Sequence, residues 1–211
     1  TSGLVERPRR FKDDGELARI EAAAAVADAA LAELRPRLLD GPTEAEFALE
    51  LDATMRRLGA TKPSVETIVS SGPNTSRPHA RPSGRRVEPG DLVIIDFGAV
   101  VDGYCSDMTR TVAVGDVDDT SVRMLEVVTA AQAAGVAAVA PGVAAADVDA
   151  ACRAVIGDAG WADAFESEPA PQRLLLPARV TVGTAEASAA LAAREVLLAL
   201  VHGRRHVHHA E

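Results

Sequence analysis

The chain has 211 residues, a net charge of −9, and 47% hydrophobic but only 3% aromatic residues, so its core is built from small aliphatic side chains. That length suits one domain or one and a half, and the negative balance argues against nucleic acid or an anionic membrane as main partner. No stretch reaches the ~18 apolar residues of a membrane span, and no secretory signal stands at the start. Cys105 and Cys152 are too few for a disulfide framework, which points to a reducing, cytoplasmic setting. Thr1-Ser2-Gly3 opens the chain without methionine, as in a processed product or a fragment.

Asp13-Asp14 can cap a first helix, along which Leu17, Ile20, Ala24, Ala27, Leu31 and Leu34 recur at helical spacing until Pro36. Thr43 and Glu46 form a capping box for a second helix with Phe47, Leu51, Met55 and Leu58 on one face and Gly59 as its stop. A short strand is expected at Val65 to Ser70, then a Gly/Pro/Asn/Ser loop from Ser71 to Gly84. Leu92 to Phe97 is a continuous apolar run, as in a strand buried on both faces. Asp102-Gly103 is a two-residue hairpin turn, and Tyr104 to Val114 returns as one strand. Helices are expected at Ser121 to Val139, stopped by Pro141-Gly142, and at Ala144 to Ile156, stopped by Gly157. The order helix, helix, sheet, helix, helix calls for a second sheet half. The segment from Glu166 to Glu211 offers only a faint strand at Ala178 to Val182 and a helix at Ala185 to Val201.

Within the hairpin, "VIIDFGAVVDGYCSDMTRTVAVG" holds Asp96 and Asp107. A buried carboxylate is costly unless a partner or a metal neutralises it. With Asp102-Gly103 as the turn, Val101 faces Tyr104, Gly98 faces Asp107 and Asp96 faces Thr109. Alternation then puts Asp96 and Asp107 on one face, as diagonal neighbours across the two strands with roughly 7–8 Å between backbone positions. Two bare carboxylates there would repel, and one would stay protonated. Divalent cations remove the conflict, and a pair of metals about 3.5–4 Å apart is a recurring hydrolytic arrangement.

Asp102 is turn chemistry. Thr109, opposite Asp96, is either a hydrogen-bond donor behind the metal ligand or a threonine chosen for β-propensity. Cys105 falls on the same face by parity and is read as packing. His79, in the proline-flanked "GPNTSRPHARP", is either a solvated loop residue or a stiffly held histidine able to donate a proton or bind a carbonyl.

The stretch "TIVSSGPNTSRPHARPSGRRVEPGDLVIIDFGAVVDGYCSDMTRTVAVGD" closely resembles the first half of the catalytic domain of the pita-bread metallopeptidases. These are the Xaa-Pro aminopeptidases, the prolidases and, more distantly, the methionine aminopeptidases. The resemblance runs from about Phe11 to Phe165, and the proline-flanked histidine makes it most similar to the Xaa-Pro group. It implies an α+β pita-bread (creatinase/aminopeptidase-like) fold, with helices packed on a curved antiparallel sheet in two pseudo-symmetric halves. It implies that Asp96 and Asp107 are metal ligands, the second bridging both ions, and that His79 is the catalytic histidine contacting substrate. The cofactors implied are two divalent ions, Mn²⁺ or Co²⁺ first and Zn²⁺ or Fe²⁺ next. The reaction implied is cleavage at a bond to proline in a peptide with proline second, by a metal-bound hydroxide, as in aminopeptidase P or prolidase. A homodimer is one option for assembly.

The family pattern also needs a histidine in a His-Gly-X-Gly-His segment and two glutamates in Glu-Pro-Gly and Arg-X-Glu-Asp segments. The histidine segment would fall near Phe165 to Gln172, where the sequence reads "FESEPAPQ". Glu168-Pro169 and Glu186 echo the glutamates without their context. His202 and His206 stand at i, i+4 spacing, which suits a metal on a helix, but they come late. The expected organisation is therefore a linker remnant over 1–12, a catalytic unit over 13–165 with its second half incomplete, and an atypical tail over 166–211. A non-catalytic peptide-binding relative and a metal-independent, creatinase-like amidinohydrolase are the alternatives.

Overall fold

The computed structural model describes residue 4 and residues 6–9, 11–77 and 80–162. His79, the expected strand Ala178 to Val182, the expected helix Ala185 to Val201 and the pair His202 and His206 lie outside the described residues. A single turn, α1 (Glu6–Arg9), precedes the long α2 (Asp14–Leu34). Asp13 caps α2 as expected. Its carboxylate accepts the Glu16 N–H at 2.7 Å while Glu16 accepts the Asp13 N–H at 2.8 Å, so the cap is a full reciprocal box. Pro36 sits in a 3-10 helix (Arg35–Asp40) that continues directly from α2. The Thr43–Glu46 box opens α3 (Glu44–Arg57) in the same way, and Gly59, at φ 112°, follows it.

The expected strand at Val65 to Ser70 is displaced. Residues Lys62–Pro63 form β1 and pair with β4 (Ala99–Val101), while Ile68–Ser71 form β2 and pair with β3 (Leu92–Phe97). The chain is held to β4 up to Ser64, whose N–H donates to Gly98 O at 3.0 Å. Residues 65–67 are the crossover between the two pairings, which apolar patterning alone does not reveal.

The turn is as expected: Asp102 and Gly103 both have positive φ, 47° and 81°, as a primed hairpin turn requires. The return strand is not continuous. It is divided into β5 (Tyr104–Cys105) and β6 (Met108–Ala113), giving two three-stranded antiparallel sheets, β1-β4-β5 and β2-β3-β6. Ser106 causes the break. Its buried hydroxyl donates to Ala23 O of α2 at 3.0 Å and accepts the Ala99 N–H at 3.0 Å. This draws its carbonyl over Gly98, where any Cβ would collide with Ser106 O and with Ser64 Oγ.

All six residues of β3 are buried. Val93, Ile95 and Phe97 join α2 and α3 residues such as Ala27, Leu31, Phe47, Leu51 and Met55 in the larger core. Ile94 joins Met124, Ala131, Cys152 and Ile156 of the helices α4 (Asp119–Ala138) and α5 (Ala145–Asp158) in a smaller one. Asp96 has the parity of Ile94. Asp118 caps α4, accepting the Ser121 N–H at 2.9 Å, so that helix starts two residues before the expected Ser121. Gly157 does not stop α5; the helix runs to Asp158 and the left-handed residue is Gly160, at φ 86°. Among the described residues no helix is long and apolar enough to cross a membrane.

Gly98→Ala forces the Ser106 backbone off α2 and is expected to lower the unfolding free energy by about 1–3 kcal/mol. Urea titration followed by far-UV circular dichroism measures it, and an unchanged midpoint would contradict the close approach.

Candidate metal centre

The register of the site is the expected one: Asp96 pairs with Thr109 and Phe97 with Met108 across β3 and β6, and Val101 pairs with Tyr104 beside the turn. Asp96 is only 7% exposed. Thr109 Oγ1 donates to Asp96 Oδ1 at 2.8 Å, so the threonine's role is that of a hydrogen-bond donor and not of β-propensity alone. This bond satisfies and orients a carboxylate that a lone apolar environment would disfavour. Asp107 is exposed and lies in the break between β5 and β6, two residues before Thr109. The pinned Ser106 beside it fixes the backbone from which it departs. Cys105 is exposed, so the packing role expected for it is not found; it pairs with Val100 in the register that the turn sets.

Hard carboxylate oxygens are suitable donors for ions such as Mn²⁺, and a buried aspartate oriented by its own hydroxyl donor fits a ligand's position. The donor set is partial. No group of three or more His, Cys, Asp or Glu residues able to hold a metal occurs among the described residues.

A second polar cluster lies at the other end of β2 and escaped sequence reasoning. Glu44, the first residue of α3, is fully buried. Its carboxylate accepts from Ser71 N–H (2.7 Å), Ser71 Oγ (2.8 Å), Asn74 Nδ2 (3.0 and 3.1 Å), Ser83 N–H (3.0 Å) and Ser83 Oγ (2.6 Å). Arg85 joins it, donating to Ser71 Oγ at 2.6 Å and gripping the Asp91 carboxylate at 2.6 and 3.0 Å. Gly72 turns against this ion pair at φ 47°, with no room for a side chain. In sequence Glu44 is one acid in the first turn of a helix, which reads as dipole complementation on a solvated face. The serine-rich loop and the Arg85…Asp91 pair were the available signals.

Residues 18–172 match Metallopeptidase family M24. The chain belongs to that family. It is 42% identical over 161 residues to the uncharacterized peptidase YqhT of Bacillus subtilis (strain 168), covering 76% of this chain and 46% of that protein. It is 37% identical over 162 residues to the Xaa-Pro dipeptidase of Pyrococcus furiosus, covering 77% and 47%. Among solved structures, the Xaa-Pro dipeptidase from Bacillus anthracis matches with a TM-score of 0.77 at 36% identity, over 85% of this chain and 52% of that one. The prolidase from Pyrococcus furiosus matches with a TM-score of 0.75 at 32% identity, over 83% and 54%. The fold is thus the α+β pita-bread fold, and the chain spans about half the length of the relatives it matches.

Two outcomes follow from the geometry. Thr109→Val leaves Asp96 short of a donor and is expected to cost about 1–3 kcal/mol, whereas Thr109→Ser keeps most of the stability; denaturant unfolding compares them. The second concerns acid. Burial pushes the Glu44 carboxyl up, but the donors Ser83, Asn74 and Ser71 together outweigh it and hold the group below its ordinary 4.5. Stability from a depressed carboxyl is complete above the unfolded value and is lost as pH falls through the folded one. Wild type should therefore lose more stability than Glu44→Gln as pH falls from about 5 into the acid range, as thermal unfolding at several pH values would show.

Proposed function

We propose that the chain carries part of the active site of a metal-dependent exopeptidase that hydrolyses Xaa-Pro bonds, of prolidase or aminopeptidase P type. The observation that carries this reading is the buried Asp96, oriented by Thr109 on the same hairpin as Asp107, in a chain of the M24 family. Asp96 and Asp107 would hold the ions with their carboxylate oxygens. When bound, divalent ions supply an activated water and polarise the scissile carbonyl. Thr109 keeps one Asp96 oxygen occupied and so fixes which way the other oxygen faces. His79, which the family resemblance assigns to substrate contact, would stabilise the carbonyl oxygen during attack. The C–N bond to proline breaks, hydroxyl is added to the carbonyl carbon, and the proline nitrogen takes the proton.

Peptides with proline second are the proposed substrates, as the names of the Pyrococcus furiosus and Bacillus anthracis relatives suggest. Mn²⁺ or Co²⁺ are the proposed ions, with Zn²⁺ or Fe²⁺ as alternatives. Residues 13–165 are proposed as the catalytic unit, with a homodimer as the assembly. Two free cysteines, Cys105 and Cys152, support a reducing, cytoplasmic location.

Added Mn²⁺ or Co²⁺ should raise the melting temperature by binding the native state alone and support release of proline from an Xaa-Pro dipeptide. Asp96→Asn or Asp107→Asn should lower that hydrolysis on the order of a hundredfold and abolish the metal-induced shift. Peptide binding without turnover, unchanged by Asp96→Asn, would favour a non-catalytic binding protein. Creatine hydrolysis insensitive to chelator would favour the amidinohydrolase alternative.

A further inference from the structure

The Glu44 cluster joins two points of the chain that sequence separates. Ser71 and Asn74 lie at the start of the connection between β2 and β3, and Ser83 and Arg85 lie near its end. Both ends converge on one carboxylate. Oε1 takes the Ser71 amide and hydroxyl, and Oε2 takes the Ser83 amide and hydroxyl, with Asn74 Nδ2 between them. The backbone reinforces the closure, since Glu44 N–H donates to Arg85 O and Ala45 N–H to Ser83 O, each at 3.0 Å. A residue serving only the α3 fold has no need of this arrangement. Ser71 is fully buried, so with an apolar side chain at 44 its amide would lose the carboxylate and have no water to replace it.

We propose that Glu44 is a positioning residue: its buried carboxylate clamps the two ends of the Ser71–Ser83 connection together on α3. The geometry has a definite chemical logic. A carboxylate offers only acceptors, with about four lone-pair sites, and every partner here is a donor. No neutral side chain of that length can serve both ends, because an amide presents an acceptor at one end and a donor at the other. Arg85 extends the clamp to Asp91, just ahead of β3, and so ties the connection to the strand that bears Asp96. The functional consequence, that hydrolysis depends on both ends of this connection being held, rests on the peptidase reading; the clamp itself does not.

The test is amide hydrogen exchange on the full chain, read residue by residue. Hydrogen bonds to charged groups are strong enough that losing one should speed exchange by about tenfold or more. Glu44→Gln keeps one acceptor oxygen, so exchange should accelerate strongly at one of the Ser71 and Ser83 amides and less at the other, with α4 and α5 unchanged. Glu44→Ala should release both. Should that variant fail to fold, Ser83→Ala provides the second measurement. It leaves Glu44 in place and should loosen residues 83–85 without affecting Ser71. Unchanged exchange at both amides in Glu44→Gln, or equal acceleration throughout α4 and α5, would overturn the clamp. Xaa-Pro hydrolysis by the same variants is measured alongside. A wild-type chain that does not hydrolyse counts against the peptidase reading and leaves the exchange result for Glu44 standing. A released loop with undiminished kcat and KM would overturn the functional consequence.

Discussion

Antiparallel pairing of β3 with β6 is the constraint on which the rest depends. It opposes Asp96 to Thr109 and, by the same alternation, turns Val93, Ile95 and Phe97 into the larger core. Core and candidate site are therefore two faces of one strand. A slip of one residue would exchange the two faces and turn the Asp96 carboxylate into the larger core. The primed turn at Asp102-Gly103 and the close approach of Ser106 to Gly98 both fix that register from the hairpin end.

Buried charge in this half-fold is handled by donors rather than by removal. Glu44 is surrounded by hydroxyl and amide donors, Asp91 is gripped by Arg85 and the Glu88 N–H, and Asp96 is held by Thr109. Among the described residues no buried side-chain nitrogen or oxygen lacks a partner. Such groups impose direction, which apolar packing does not. They sit where direction matters here, at a bend between strands and at a candidate ligand.

Much of this was legible in the sequence because it depends on short-range chemistry. The Thr43–Glu46 box, the Asp102-Gly103 turn, and the apolar run of β3 each declare themselves within a few residues. The Asp96–Thr109 pairing followed from the turn alone. What stayed hidden requires contacts between distant residues. The split of the return strand comes from a serine reaching back to α2, and the displaced β2 comes from residues 61–64 following β4 first. Glu44 looked like an ordinary surface acid because its donors lie 27 to 39 residues away. The remaining metal ligands were not legible for a different reason: the residues where the family pattern would place them do not carry its motif.

Cys105 has a practical consequence. It is an exposed free thiol on β5, two residues before Asp107, while the chain's other thiol, Cys152, is buried between α4 and α5 with its acidity weakened by burial. A maleimide fluorophore would thus label the hairpin selectively, and its emission would report on the surroundings of Asp107. The same exposure makes oxidative cross-linking of two copies an artefact to guard against with reductant during purification.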